Sequence, residues 1–340
     1  MAEVPYHSTL AHAAYHDLLN TLRDESVSGL RGAPGRVERN GRVYWYDSYR
    51  VGTEVKKTYI GEDNPDLRDR LEKAAELKAA ANERRSQRTR LIRILRAEGF
   101  LPIDAATGGL IAALAAAGVF RLGGTIVGTL AFRLYEGELG VRYRLDEAAQ
   151  TNDIDIASFE RLSLALDDRV EESLPKLLGD FAFDPVPGLD RHRSWRWRQS
   201  RNDLLVEFLT PSFTDTEETR PLPALGIHAQ SLHYLNYLLA EPIPAALGYR
   251  NGVLVQIPRP ERFAIHKLIV SDRRREGAAS LKSIKDRRQA AFLIDVLGRD
   301  RPDELREAYQ DALSRGPRWR ERLGAALSRI AGLKERLDAL

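Results

Sequence analysis

The sequence predicts an α+β protein. A small mixed β-sheet core with helices follows an N-terminal helical and β-hairpin region and precedes a mostly helical C-terminal domain. Three observations carry that prediction. Residues 42–49 and 53–60 are strand-like runs rich in aromatic and β-branched side chains, after a turn signal at Asn40-Gly41. Apolar runs of strand length at 119–122 and 204–209, and the Ile154/Ile156 pair, are set between glycine turns and helical stretches. From Arg220 onward the apolar spacing is largely helical. The expected divisions are 1–62, 63–99, 100–215 and 216–340.

Residues 1–30 read as one or two short helices carrying His7, His12 and His16. His12 and His16 stand at i, i+4 without the accompanying Glu of a zinc-binding helix, so ordinary packing or surface histidines are expected. Residues 36–61 read as a small antiparallel unit turning at Asn40-Gly41. Its aromatics, interleaved with Lys56 and Lys57, suit either packing or a stacking platform for single-stranded nucleic acid. Residues 65–98 predict one long helix, with Pro65 in its first turn and Gly99 past its end. Arg84, Arg85, Arg88, Arg90, Arg93 and Arg96 crowd its second half. A solvated or domain-bridging face is the expectation, and a nucleic-acid contact the sharper alternative.

Residues 105–120 are uncharged and alanine-rich, too short for a membrane span, and read as a helix leading into a strand at 119–122. Gly123-Gly124-Thr125 then reads as a strand-to-helix turn, with helical signals resuming from Ile126. Such turns let backbone N–H groups approach an anion. Asp153 and Asp155 alternate with Ile154 and Ile156, so both carboxylates share one strand face about 6–7 Å apart. Strand propensity does not favour aspartate, and like charges repel; either a divalent cation, typically Mg²⁺, removes the repulsion, or the strand ends at an edge where one Asp caps the next helix and the other is solvated. Glu207 interrupts a second apolar strand between Val206 and Phe208, where a charge is rarely left unpaired. A helix over 159–178 is expected to cover the sheet. Residues 193–198 alternate Arg and Trp and are expected to pair with the Glu207 strand as a hairpin, bringing arginines towards the acids. Further on, helices are expected at 232–240, 261–271 and 279–297, with a strand at 253–258.

The glycine turn, the carboxylate–apolar–carboxylate strand and the third acid on a neighbouring strand resemble the DNA polymerase β-type nucleotidyltransferase superfamily. Gly124-Thr125, Ala131-Phe132, Tyr135, Leu139-Gly140, Thr151 to Asp155 and Val206 to Pro211 look like a bacterial group of nucleotidyltransferase-fold proteins. More distantly, the chain is similar to nucleotidyltransferase-like toxins of toxin–antitoxin and abortive-infection systems, whose further Lys and Lys-Asp elements are matched loosely by Lys267 and Lys285-Asp286. The likeness spans residues 100–295. It departs in its longer gap between Gly124 and Asp153 and in carrying Glu207 where Asp is commoner. The resemblance implies a nucleotidyltransferase core using NTP, with Asp153, Asp155 and Glu207 holding Mg²⁺ or Mn²⁺. Gly123, Gly124 and Thr125 would hold phosphates, Lys267 would neutralise phosphate charge, and Asp286 would orient Lys285 or the acceptor. RNA, of tRNA type, is the expected acceptor. A protein or small-molecule acceptor, or a catalytically silent nucleic-acid-binding protein, are the alternatives. A toxin role would imply an antitoxin or other protein partner.

Composition agrees without choosing. The 340 residues suffice for two or three cores. The absence of Cys excludes disulfides, thiolate metal sites and thiol nucleophiles. The net charge of +3 is modest, although 52 residues are Lys or Arg. No basic segment followed by an apolar one opens the chain, so a cytoplasmic, soluble protein without membrane contact is expected.

Overall fold

The computed structural model describes residues 5–30, 32–39, 41–51, 54–143, 153–159, 168–170, 172–187, 193–274 and 280–340. Helix α1 (Thr9–Ser28) is capped by Ser8, whose hydroxyl accepts from the Ala11 N–H. An antiparallel sheet follows, β1 (Ala33–Arg39), β2 (Arg42–Val51) and β3 (Glu54–Glu62), in that order. Tyr44, Tyr46 and Tyr59 bury on its inner face, and Arg36 lies over the Trp45 ring on the outer one. Tyr44 and Tyr46 therefore pack, while Lys56 and Lys57 remain exposed.

The single helix expected over 65–98 is three: α2 (Pro65–Glu72), α3 (Ala74–Ala79) and α4 (Ala81–Ala97). Lys73 and Ala80 leave helical geometry between them. The sparse apolar residues of 65–80 offer no continuous stripe to hold one rod, and the broken segments pack against α1. Arg84 and Arg88 are buried, Arg88 beside Glu25 at 2.7 Å, whereas Arg85, Arg90, Arg93 and Arg96 face solvent.

The central sheet is built from β4 (Thr125–Val127), β5 (Asp153–Ala157), β8 (Leu205–Pro211), β10 (Ile227–Leu232) and β9 (Thr219–Leu222), in that spatial order. Two further strands, β6 (Phe183–Pro185) and β7 (Arg196–Gln199), extend it beside β8. The sheet is mixed: β5 and β10 run parallel to β8, β4 and β7 antiparallel to their neighbours. Ile154, Ile156, Val206 and Phe208 point into the core and are essentially fully buried. Each such side chain contributes about 1.5–3 kcal/mol of burial. That fixes the register, because a one-residue slip would turn the acids inward.

Helix α5 (Ala105–Ala116) and α6 (Gly128–Leu139) flank β4. The strand expected at 119–122 is instead a turn, and the strand begins only at Thr125. Of the helix expected over 159–178, residues 160–167 and 171 lie outside the described residues. Residues 168–170 are not helical, and α7 covers Leu174–Asp180. The helix expected at 232–240 shrinks to α8 (Leu235–Leu238), because β10 runs to Leu232 and Tyr234 takes a left-handed backbone conformation. A two-stranded unit, β11 (Ile243–Leu247) with β12 (Val253–Ile257), precedes α9 (Pro260–Arg273), α10 (Ser280–Asp300), α11 (Pro302–Ser314), α12 (Pro317–Leu327) and α13 (Leu333–Asp338). The expected division at 215/216 falls within the central sheet. One hydrophobic cluster runs from Ile126 and Phe208 through Phe263 and Leu293 to Leu337.

Candidate active site

Asp155 and Glu207 are register partners on the adjacent parallel strands β5 and β8. Asp153, two residues earlier, shares Asp155's face, as the alternation with Ile154 and Ile156 requires. All three expected acids therefore meet on one side of the sheet. Burial and the Glu207 carboxylate push the Asp155 carboxyl up to about 7, and Lys267 and Arg274 pull against that rise.

Gly128 closes the site from the β4 side. It opens α6 with φ +65°, and a Cβ there would collide with the Asp155 carboxylate. No side chain caps this helix N-terminus, whose first-turn N–H groups have no intrahelical partners. Gly123, Gly124 and Thr125 lie elsewhere: Thr125 pairs with Ala157, at the other end of β4 from the Val127–Asp155 pair. The Gly123 and Gly124 N–H groups are already bonded to the Phe120 and Val119 carbonyls. The Thr125 hydroxyl donates to Gly123 O at 3.3 Å. The sequence reading missed Gly128-Thr129. Its available signal was the β-branched Thr-Ile-Val run, a strand signature, ending at a second Gly-Thr pair.

The C-terminal helices supply cations. Lys267, on α9, donates to Asp286, on α10, at 2.5 Å, and Arg274 donates to the other Asp286 oxygen at 3.0 Å. Although burial works against ionisation, these two cations hold the Asp286 carboxyl below its usual range. Asp286 therefore positions Lys267 and Arg274 rather than Lys285. Lys282 reaches Asp153 at 3.5 Å. Lys285 is half-buried and forms no ion pair among the described residues; burial and neighbouring Lys267 lower its pKa, with Asp153 and Asp286 opposing. His266, beside Lys267, is buried and held down to about 3, first by burial and then by Lys267, so it stays neutral.

On the far side of β8, the expected hairpin forms: β7 pairs with β8 with Arg196 opposite Glu207. Arg196 Nε lies 2.7 Å from Glu207 Oε1. Trp197 turns inward while Arg198 faces solvent. His12 and His16 stack on each other away from the acids, their Nε2 atoms 2.6 Å apart.

A sequence model described as nucleotidyltransferase matches residues 105–314, more than half of the chain. The chain belongs to the nucleotidyltransferase family. A second match, to a domain of unknown function, covers residues 13–69 of this nucleotidyltransferase, the span from α1 through β3 to α2. No curated protein matches it. Among solved structures, an antigenic nucleotidyltransferase-like protein from Paracoccidioides brasiliensis is similar at 15% identity, over 70% of this chain and 95% of that one, with a TM-score of 0.36. No helix among the described residues is long and apolar enough to cross a membrane.

The donor set, three carboxylates and therefore all oxygen, is of the kind that suits a hard divalent cation. Burial raises Asp155 first and the Glu207 carboxylate second, and a cation held there would offset both. Among the described residues no three His, Asp or Glu side chains form a ready-made cage. Glu207 is held by Arg196 instead.

Proposed function

We propose that this nucleotidyltransferase transfers a nucleoside monophosphate from an NTP to an acceptor hydroxyl and releases pyrophosphate. The observation that carries the reading is the Asp155–Glu207 register pair, with Asp153 on the same face and the open N-terminus of α6 against it. The acceptor oxygen forms a bond to the α-phosphorus, the bond from that phosphorus to the β-bridging oxygen breaks, and the acceptor proton passes to solvent. Asp153, Asp155 and Glu207 would hold Mg²⁺ or Mn²⁺, which when bound lowers the acceptor hydroxyl's pKa and stabilises the leaving oxygen.

The chain's own groups do the remaining work. The first-turn N–H groups of Gly128 and Thr129 and the helix dipole receive phosphate oxygens. Lys285, without an ion pair among the described residues, meets the polyphosphate as a point charge. Lys267, fixed by Asp286, adds positive potential felt at Asp155. RNA is the acceptor we favour, because Lys56, Lys57 and the Arg36–Trp45 stack offer charge and aromatic surface on the N-terminal sheet. Arg85, Arg90, Arg93 and Arg96 add exposed charge on α4.

The test incubates the purified protein with Mg²⁺, each α-labelled NTP in turn, total RNA and protein lysate, against an Asp153→Ala/Asp155→Ala variant. Label in RNA with wild type alone supports the reading. Label in protein alone keeps the transfer and overturns the RNA acceptor. RNA binding without label, unchanged in the variant, would replace transfer with binding.

A further inference from the structure

Arg196 and Glu207 face each other across the β7–β8 pair, and their contact is poorly made for a permanent ion pair. Arg196 Nε approaches Glu207 Oε1 to 2.7 Å, yet that N–H is shielded from solvent and makes no aligned hydrogen bond. The two planar groups therefore do not adopt the bidentate geometry that makes Arg–carboxylate pairs strong. The pair is also accessible: the Arg196 side chain is 39% exposed and that of Glu207 19%. A half-buried pair without aligned hydrogen bonds repays little of its desolvation cost. The guanidinium has a second support, since its carbon lies 4.4 Å from the centre of the Trp195 ring. Stacking there keeps Arg196 in place whether or not Glu207 stays bound to it.

Lys267, Arg274 and Lys282 are placed differently from Arg196. Lys267 and Arg274 are committed to Asp286, and Lys282 touches Asp153 only at 3.5 Å. Glu207 is held by a guanidinium at contact distance, and it is the register partner of Asp155.

We propose that Arg196 is a displaceable counter-ion that holds Glu207 away from the metal site, so that a divalent cation gains its third carboxylate only by displacing this guanidinium. The inference rests on the metal-dependent reading given above. It makes Arg196 a positioning residue that lowers metal affinity in the substrate-free protein. Its charge acts through Glu207, and Trp195 receives the guanidinium when Glu207 turns away.

The test is Mn²⁺ titration of the substrate-free protein, with free Mn²⁺ read by electron paramagnetic resonance and no nucleotide present. Wild type is compared with Arg196→Gln, Arg196→Met, Glu207→Gln, Arg196→Gln/Glu207→Gln and Asp153→Asn/Asp155→Asn. Arg196→Met keeps an apolar stem over Trp195 and serves if the Gln variant folds poorly. Removing the guanidinium should tighten Mn²⁺ binding roughly tenfold, as expected for loss of one close competing charge. In the Glu207→Gln background the same substitution should change binding by less than about twofold. Equal tightening in both backgrounds would reduce Arg196 to a diffuse repulsive charge and overturn the proposal, as would no tightening in either. Mn²⁺ binding that survives Asp153→Asn/Asp155→Asn unchanged would instead remove the metal site itself, a failure of the underlying reading.

Discussion

Lys267 on α9 and Asp286 on α10 form a buried ion pair at 2.5 Å, with Arg274 on the second carboxylate oxygen. The side chains of Lys267 and Asp286 are only 9% and 3% exposed. Removing one member of such a pair strands a charge in the interior. Asp286→Ala should destabilise the protein by about 3–5 kcal/mol, measured by urea unfolding. Lys267→Met/Asp286→Leu should recover much of that loss. A double variant no more stable than Asp286→Ala would show that the pair contributes more than mutual charge compensation.

Gly128→Ala should both weaken the fold and impair the site. The φ of +65° opposes an L side chain, and the new Cβ would push against Asp155. A loss of about 1–3 kcal/mol is expected from strain of this kind. Gly124→Ala makes the comparison informative: its Cβ would meet the Val119 side chain and backbone rather than Asp155. Metal binding should fall in the Gly128 variant and persist in the Gly124 variant, as read by Mn²⁺ titration of folded protein.

The metal-free protein should lose stability as pH rises from about 4 to 7. Asp155 has a folded pKa of about 7, raised from 3.8 mainly by burial and then by Glu207. Between those values the native state holds a proton that the unfolded chain releases, so stability falls with pH by at most about 1.4 kcal/mol per unit. Below the unfolded pKa both states are protonated and the effect vanishes. Asp155→Asn should flatten this part of the profile, measured by thermal melts in chelator. An unchanged slope would assign the pH dependence to other groups.

Lys285→Ala should weaken nucleotide binding by severalfold while leaving the melting temperature nearly unchanged. The lysine makes no ion pair among the described residues, so its removal breaks no internal contact of that kind. Fluorescent-nucleotide titration beside a melt separates the effects. Lost stability with unchanged affinity would make Lys285 structural.

The carboxylates were legible because strand alternation is a two-residue rule: Ile154 and Ile156 must go inward, so Asp153 and Asp155 cannot. The β7–β8 hairpin was legible for the same reason. Its cross-strand match of Arg196 with Glu207 was not, since register depends on the turn between them. Lys267 and Asp286 were named individually, yet their partnership is set by the packing of α9 on α10 and by no local spacing. Helix was expected from Ile126, whereas Thr125 to Val127 form a strand, because Ile126 and Val127 fit either. The decision came from their pairing with β5, a long-range contact.

The division of labour along the chain has a consequence for its biosynthesis. The three acids and Gly128 lie before the end of β10, whereas Lys267, Asp286 and Lys285 arrive with α9 and α10. A nascent polypeptide released only as far as Leu232 would carry the negative charges without these cations, and without the buried face of α9 that shares their core. Premature termination there should leave an inert fragment exposed to proteolysis rather than a half-active enzyme.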